Sequence, residues 1–334
     1  DWKVHLAQAD LQASGPVKKK ITPVLYRPFD TRYTYYTGQT KGFICRPRQE
    51  IMGHMLVKGN LALNIGRAGQ VTGTDSWDLS MCAKAIVDFN LFRRGGNVFS
   101  PLYIYPNQGK KIPEANHWPA GQGGRIPNLA PEFVRDVEKR LKLEFVPDGR
   151  GDLKKTFGPE DIFHYIYAVL HSPTYRKRYA EFLKLDFPSV PLTSNLGLFR
   201  KLCGLGRELT ALHLMEPDIS ARLITSFPER GDNLVAKGYP NYLASGEPEP
   251  GTGALLKKGR VYINKTQYFD GAPPEVWEFH VGGYQVCDKW LKDRRGRNLD
   301  FDELTHYQKV ITALKETIRL MAGIDAAVPA WPVK

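Results

Sequence analysis

The chain has 334 residues and carries 47 lysines and arginines against 35 aspartates and glutamates, a net charge of +12 at pH 7. Its 42% hydrophobic and 25% charged residues are typical of a folded domain and exclude a disordered chain. No run reaches the roughly 20 apolar residues of a membrane span, and the start DWKVHLAQAD lacks the apolar core of a signal peptide. The positive excess favours an anionic macromolecular partner.

The four cysteines lie far apart and form no CxxC pair: Cys45, Cys82, Cys203 and Cys287. This spacing argues against a structural zinc site and is typical of the reduced thiols of a cytoplasmic protein. The chain begins at Asp1 rather than at a methionine, so we expect it to be a fragment of a longer polypeptide.

Strands and turns are predicted for the first part of the chain. Residues 1–20 end in GPVKKK and are predicted to form an N-terminal linker. Four segments rich in β-branched and aromatic residues predict strands: PVLYRPF, TRYTYYT, NLALNIGRA and SPLYIYP. Residues 106–130 are rich in proline and glycine and predict a long polar loop.

Helices are predicted to dominate from residue 131 onwards. The first spans about Pro131–Leu143, and Pro159 begins the next, with acidic residues in its first turn. After a break at Pro173, a further helix is expected to carry one apolar face, formed by Tyr175, Tyr179, Phe182 and Leu183.

Two later helices carry apolar seams at helical spacing. The first seam consists of Leu198, Leu202, Leu205, Leu209 and Leu212. The second consists of Leu304, Tyr307, Ile311, Leu314, Ile318 and Met321. Asp300 and Glu303 predict a capping box at the start of the second helix. We expect the seams to pack together or on a common neighbour as helical core, with an interface to a partner as the alternative. Between them, RVYINKTQYF is the clearest strand candidate.

The signatures of common enzyme sites are absent from the sequence. No GxxxxGK[ST] phosphate loop, GxGxxG dinucleotide motif or GxSxG nucleophile elbow occurs, and the eight histidines form no HExxH motif. The one loose carboxylate cluster, residues 300–303, is explained by helix capping. We therefore expect no catalytic, cofactor-binding or metal-binding residues and no enzymatic activity of the fragment itself.

The segment Val276–Arg297, VWEFHVGGYQVCDKWLKDRRGR, concentrates positive charge. A strand-like aromatic stretch leads through a Gly-Gly turn into a short amphipathic helix, which ends in a basic cluster of Lys289, Lys292, Arg294, Arg295 and Arg297. Such a cluster fits a surface that binds the phosphate backbone of a nucleic acid. The alternative is a solvated helix end, where cations complement the helix dipole.

Four long segments stand out in chain order: Leu25–Thr37, Cys45–Met55, Ile162–Leu192 and Ile263–Arg297. Together they resemble the carboxy-terminal specificity region of type ISP restriction–modification enzymes, the single-polypeptide relatives of type I systems. The resemblance covers roughly residues 20–325. More distant similarity extends to the target recognition domains of type IIG enzymes.

The predicted elements together indicate an α+β fold, with a strand-rich part over residues 21–130, a helix-rich part with a second group of strands over residues 131–325, and a tail over residues 326–334. The resemblance implies that this fold is a target recognition domain. It implies recognition of a short asymmetric double-stranded DNA sequence, positioned for N6-adenine methylation by a methyltransferase domain of the parent polypeptide. The expected partners are double-stranded DNA and that methyltransferase domain, and no membrane. S-adenosylmethionine, ATP and Mg are expected for the parent enzyme, and no cofactor for this fragment.

Residues that bind DNA are predicted from their chemistry, because phosphate contacts position a protein and base contacts give specificity. Cations expected to contact phosphate are Arg46, Arg48, Arg93, Arg94, Lys110, Lys111, Lys289, Lys292, Arg294 and Arg295. Loop residues expected near bases are Arg67, Gln70, Asn264, Lys265, Gln267, Tyr284 and Gln285.

Structural roles compete with several of these assignments. Arg27 and Arg32 bracket Asp30, and we expect them to pair with it rather than with DNA. Asn264 and Gln267 also fit ordinary strand-edge residues, and the pair after the Gly-Gly turn also fits a helix start.

Two other functions remain open. The aromatic segments Tyr33–Tyr36 and Tyr262–Phe269 suit a single-stranded DNA or RNA module, in which bases stack on exposed rings. A protein-interaction scaffold would instead direct its apolar seams towards a partner. A stand-alone nuclease is disfavoured, because no carboxylate–lysine constellation is visible.

Overall fold

The architecture is that of a computed structural model describing residues 2–57, 59–66, 77–93, 96–106, 118–216 and 222–333. The helices in these ranges are α1 (Val4–Ser14), α2 (Gln49–Met52), α3 (Pro131–Leu141), α4 (Pro159–Leu170), α5 (Pro173–Arg178), α6 (Ala180–Leu185), α7 (Leu196–His213), α8 (Pro274–Trp277), α9 (Val286–Lys292) and α10 (Phe301–Ala327). The strands are β1 (Ile21–Arg27), β2 (Asp30–Tyr35), β3 (Ala62–Gly66), β4 (Ser80–Ala83), β5 (Ile86–Val87), β6 (Asn97–Pro101), β7 (Tyr103–Ile104), β8 (Ile126–Pro127), β9 (Glu144–Phe145), β10 (Thr156–Phe157), β11 (Asn241–Leu243), β12 (Arg260–Tyr262), β13 (Tyr268–Asp270), β14 (His280–Val281) and β15 (Tyr284–Gln285). The predicted α+β class is confirmed.

Two small sheets organise the amino-terminal part. The first has the order β2-β1-β5, with β1 antiparallel to β2 and parallel to β5. The second has the order β4-β3-β6 and is antiparallel. The four segments predicted as strands all contain strands, so this prediction is confirmed. Between β1 and β2 the buried Phe29 turns the chain with φ +59°.

Three helices form the centre of the carboxy-terminal part, with α7 packed against both α4 and α10. The predicted seams face inward, since Leu202, Leu209, Ile311 and Leu314 are fully buried. The interpretation of the seams as helical core is therefore confirmed. The predicted capping box also forms, because the Asp300 carboxylate accepts a hydrogen bond from the Glu303 amide at 2.8 Å.

Some local predictions were wrong. RVYINKTQYF is not one strand but a hairpin, because Asn264 closes a turn between β12 and β13. The helix predicted after Pro173 is split into α5 and α6 at Tyr179. The break changes the helical phase, so Leu183 is buried whereas Phe182 is 71% exposed.

The ends of the described chain also carry structure. Helix α1 lies within the segment predicted as an N-terminal linker. Trp331 and Val333 are buried and belong, with residues of both halves, to one continuous hydrophobic core. In the Val276–Arg297 segment, Trp277 ends helix α8 instead of continuing a strand, and the strand pairing is limited to the β14–β15 hairpin.

Candidate nucleic-acid interface

A buried ion pair joins the two sequence motifs that carried the family resemblance, RPFD and DRRGR. The Asp30 carboxylate is 2% exposed and accepts hydrogen bonds from Arg294 Nη2 at 3.0 Å and Nη1 at 3.3 Å. Arg32 Nη2 donates to the same carboxylate at 2.8 Å. The Arg294 guanidinium also bonds Glu303 at 3.2 Å and lies 3.4 Å from the centre of the Trp290 ring. These contacts hold the turn between β1 and β2 against the end of α9. We call the cluster of Asp30, Arg32, Arg294 and Glu303 the framework.

Burial alone would raise the pKa of the Asp30 carboxyl, but the hydrogen bonds from Arg294 and Arg32 outweigh it and hold that pKa below its usual value. Asp30 is therefore ionised and paired. The expectation that Arg32 pairs with Asp30 is met, whereas Arg27 pairs with Asp88 at 2.7 Å instead. Only 9% of the Arg294 side chain is exposed and its guanidinium is already paired, so we withdraw it from the predicted DNA contacts.

Other members of the basic cluster remain accessible. Lys292 is 44% exposed at its side chain and pairs with Asp288 at 2.6 Å. Lys289 pairs with Asp293 and is 26% exposed. Arg295 is exposed, and its guanidinium donates to the backbone carbonyl of Tyr239. Surface ion pairs of this kind exchange readily with a competing anion, because each contributes little free energy in water.

The Gly-Gly turn between β14 and β15 packs directly on a distant loop. The Gly282 amide donates to the Asp78 carbonyl at 3.4 Å, and the Gly283 amide donates to the Phe92 carbonyl at 3.3 Å. Gly282 has φ +59°, and a Cβ there would approach the Phe92 backbone to 2.9 Å. A side chain at Gly283 would meet Arg93. Only glycine allows this contact, which brings the Arg93 side chain against Gly283.

Cations and aromatic rings alternate beside this turn. The Tyr26 ring lies between Arg27 at 3.8 Å and Arg32 at 4.0 Å. The Tyr284 ring lies between Arg27 at 5.4 Å and Lys289 at 5.3 Å. We call this set, together with Arg93, the Gly-Gly face. The sequence analysis did not predict that Tyr26 and Arg27 belong to this surface. The signal was present, because an aromatic residue and an arginine stand directly before Pro28.

The hairpin turn after β12 uses its polar groups internally. Gln267 is 1% exposed, accepts from the Asn233 amide at 2.9 Å and donates to the Glu229 carbonyl at 3.2 Å. Asn264 donates to the Leu234 carbonyl at 3.0 Å and caps its own turn. The side-chain amides of both residues are already hydrogen-bonded within the protein. A structural role therefore replaces the base contacts predicted for them. Lys265 is exposed at the tip of the turn.

The remaining predicted residues divide into three groups. Gln285 is half-buried and donates to the Trp277 carbonyl at 2.7 Å, which supports its role at the start of α9. Arg46 and Arg48 are exposed on the loop before α2, away from the Gly-Gly face. Five predicted contacts lie outside the described residues: Arg67, Gln70, Arg94, Lys110 and Lys111.

Among the described residues, no group of three or more His, Cys, Asp or Glu side chains is arranged to hold a metal ion. In the same ranges, no helix has the length and apolar character needed to cross a membrane.

The overall fold is that of solved restriction–modification enzymes. A nuclease-deletion mutant of the Type ISP enzyme LlaGI, solved in complex with a DNA substrate mimic, shares 20% identity and aligns with a TM-score of 0.59 over 95% of this chain. The ATP-dependent Type ISP enzyme LlaBIII, bound to DNA, shares 18% identity and a TM-score of 0.64 over the whole chain. The DrdV–DNA complex shares 21% identity and a TM-score of 0.64 over 94%.

This chain spans only 25%, 20% and 29% of those three chains, respectively. No curated protein matches it. Residues 1–323 match the family described as the Type ISP C-terminal specificity domain, and the chain belongs to that family. The resemblance found in the sequence is thereby confirmed.

Proposed function

We propose that this chain recognises a short asymmetric double-stranded DNA sequence on behalf of a restriction–modification enzyme. It would present that DNA for N6-adenine methylation to a methyltransferase domain of the parent polypeptide. The observation that carries the proposal is the match of residues 1–323 to a specificity-domain family. The DNA-bound states of LlaGI, LlaBIII and DrdV, which share this fold, support it.

The Gly-Gly face and the exposed end of α9 form the proposed DNA-facing surface. Lys289, Lys292 and Arg295 supply cations for phosphate oxygens, and Arg93 lies against Gly283 on the adjoining loop. The Asp30–Arg294 pair fixes the end of α9 against the β1–β2 hairpin, so Lys289 and Lys292 are presented from a rigid element.

The fragment itself is proposed to be non-catalytic. In the parent enzyme, S-adenosylmethionine, ATP and Mg would be handled by other domains, while this chain supplies the choice of sequence. Its proposed partners are therefore duplex DNA and the adjoining methyltransferase domain.

The burial of aromatic rings disfavours the single-strand alternative. Tyr35, Tyr36, Tyr262 and Phe269 are all at least 93% buried, so they offer no exposed platform for stacked bases. Tyr33 is the exception at 77% exposed. The scaffold alternative is also disfavoured, because both apolar seams pack inside the fold.

Selection of the purified chain against a randomised duplex pool at two salt concentrations tests the proposal. We expect enrichment of one asymmetric motif of several base pairs that survives the higher salt, because base contacts depend less on salt than phosphate contacts do. A competition arm with single-stranded DNA and RNA distinguishes the alternative. Salt-sensitive binding without any enriched motif, or preference for single strands, would contradict sequence-specific duplex recognition by this chain.

The contribution of α9 is tested by Lys292→Ala. Loss of one phosphate contact should reduce the slope of log K against log salt concentration by about 0.9 and weaken binding to all duplexes alike. Lys315→Ala is the matched control, since Lys315 has the same 44% side-chain exposure and also pairs with a carboxylate, that of Glu275. An equal slope for wild type and Lys292→Ala would remove α9 from the interface.

A further inference from the structure

A second basic surface lies at the far end of the β1–β2 hairpin. A short 3-10 helix, Lys18–Lys20, immediately precedes β1. The Lys20 carbonyl accepts from the Tyr36 amide at 2.9 Å, and the Tyr36 hydroxyl donates to the Pro47 carbonyl at 2.9 Å. These bonds fasten the loop before α2 to the 3-10 helix. The resulting N-terminal basic surface consists of Lys18, Lys19, Lys20, Lys41, Arg46 and Arg48.

The six cations of this surface have no ion-pair partner among the described residues. In the described part of the chain, no carboxylate oxygen lies within 4.0 Å of a charged nitrogen of these six side chains, whereas Arg27, Arg32, Lys289 and Lys292 of the Gly-Gly face and α9 each have an acidic partner. The nearby Asp10 carboxylate is occupied by neutral donors, the Thr37 hydroxyl and the Phe43 amide, both at 2.7 Å. A cluster of unpaired cations lowers stability by mutual repulsion, and an anionic partner relieves that repulsion.

The surface also contains a concavity of about 340 Å³. It is lined by Gly38, Thr40, Arg46, Arg48, Gln49 and Glu50. Arg48 has φ +50°, an uncommon conformation for a residue with a side chain, and it lines the concavity together with Arg46. Two guanidinium groups and the Thr40 and Gln49 donors suit the oxygens of a phosphodiester, and Glu50 adds a single opposing charge.

The distance between this surface and the Asp30–Arg294 pair indicates which part of a bound duplex the surface contacts. Strand β1 has 7 residues and therefore separates the 3-10 helix from the Asp30–Arg294 pair by about 20 Å. Along a duplex with a rise of about 3.4 Å per base pair, this distance corresponds to roughly six base pairs. The N-terminal basic surface thus extends away from the Asp30–Arg294 pair along the hairpin, with Arg32, which lies opposite Val24, between the two.

We infer that the N-terminal basic surface binds the phosphate backbone of duplex DNA that flanks the recognised sequence. This inference rests on the proposed function and adds a second, sequence-independent contact to it. The flanking contact supplies affinity and orientation, while sequence discrimination remains with the surfaces around the Gly-Gly turn.

The test compares two duplexes that contain the selected motif, one with minimal ends and one with about eight further base pairs on each side. For the wild-type chain, the longer duplex should bind more tightly and with a salt slope steeper by about 3.6 units, which corresponds to four phosphate contacts at about 0.9 unit each. The double variant Arg46→Gln/Arg48→Gln should lose about half of this gain and keep its affinity and sequence preference on the short duplex.

Lys18→Ala/Lys19→Ala provides an independent variant outside the arginine loop and should also reduce the gain. Lys154→Ala/Lys155→Ala, an adjacent exposed pair between β9 and β10, is the matched control and should retain it. Unchanged thermal unfolding midpoints verify the fold of each variant.

Three results would overturn the inference: a wild-type chain that gains nothing from flanks, surface variants that keep the gain, or surface variants that change the sequence preference on the short duplex. The first of these leaves the proposed function intact when the motif itself is still selected. Absence of any selected motif would instead defeat the proposed function.

Discussion

Two neighbouring arginines, Arg294 and Arg295, have opposite environments. The Arg294 side chain is 9% exposed and is shared between the carboxylates of Asp30 and Glu303. Arg295 is exposed and has a backbone carbonyl as its partner. The sequence could not distinguish them, because Asp30 lies 264 residues before Arg294 and only the fold brings the two together. The sequence showed the basic cluster, but it did not show which of its two neighbouring arginines is buried against Asp30.

Arg294→Ala should therefore destabilise the fold by about 3–5 kcal/mol, because removal of one partner leaves the carboxylate of Asp30 buried with only Arg32 to neutralise it. Arg295→Ala should change stability by no more than about 0.5 kcal/mol. Urea unfolding of both variants measures the difference. Equal stabilities would show that the Asp30–Arg294 pair contributes no more than a surface contact. An experiment on DNA binding should avoid Arg294 variants, since loss of the fold would resemble loss of a contact.

At the scale of elements, the contact between α4 and α7 depends on one glycine. A Cβ at Gly206 would lie 1.9 Å from the carbonyl oxygen of His164, so the two helices approach at backbone distance. Gly204, on the same helix, has no atom within 4 Å of the corresponding position. The sequence spacing of leucines predicted this helix and its seam but did not identify Gly206 as the residue that sets the distance.

Gly206→Ala should separate α4 from α7 and destabilise the protein by about 1–3 kcal/mol, the usual cost of overpacking a core. Gly204→Ala should be neutral or stabilise by up to about 1 kcal/mol, since alanine is the better helix former. Thermal unfolding of the two variants gives the comparison. A Gly206→Ala protein as stable as Gly204→Ala would mean that the helices shift apart without loss of packing.

The long elements were predictable and the short ones were not. Apolar residues recur at helical spacing along the 18 residues of α7 and the 27 residues of α10, so both helices were predicted with their buried faces. Strands of two or three residues, such as β14 and β15, depend on tertiary contacts and carry little local signal. The misplacement of Phe182 has the same origin, because a break of one residue at Tyr179 rotates α6.

At the scale of the whole molecule, buried histidines connect the two parts of the fold. His213 on α7 contacts the Tyr167 hydroxyl on α4 and Thr317 on α10 at 3.1 Å. The Tyr167 hydroxyl in turn accepts from the Cys82 amide on β4 at 3.2 Å. The His171 ring centre lies 5.2 Å from that of His213. Among the described residues, no carboxylate hydrogen-bonds to His213 or His171, so this packing requires both imidazole rings to be neutral.

Burial lowers the pKa of His213 to about 3, with a further contribution from the nearby Arg176 guanidinium. Burial likewise lowers the pKa of His164 to about 4, and the pKa of His171 is also depressed. In the unfolded chain these imidazoles titrate near pH 6.5, so the unfolded state binds more protons below that pH. Stability is fully present above pH 6.5 and is lost as the pH falls. Burial raises the pKa of Asp78 to about 6, which opposes this trend between pH 4 and 6.

Burial lowers the pKa of five histidines (His54, His164, His171, His213 and His306) and raises that of three carboxyls (Asp78, Glu160 and Asp161), so we expect the free energy of unfolding to decrease from pH 7 to pH 4. His213 alone should account for about 3 kcal/mol of the decrease, because each pH unit below 6.5 costs about 1.4 kcal/mol for a group that stays neutral in the fold. Urea unfolding at intervals of one pH unit measures the slope. His213→Gln should flatten it, whereas His5→Gln, on the exposed side of α1, should leave it unchanged. A stability that stays constant down to pH 4 would show that the folded protein accepts protons on these rings, and that the junction of α4, α7 and β4 opens to water without unfolding.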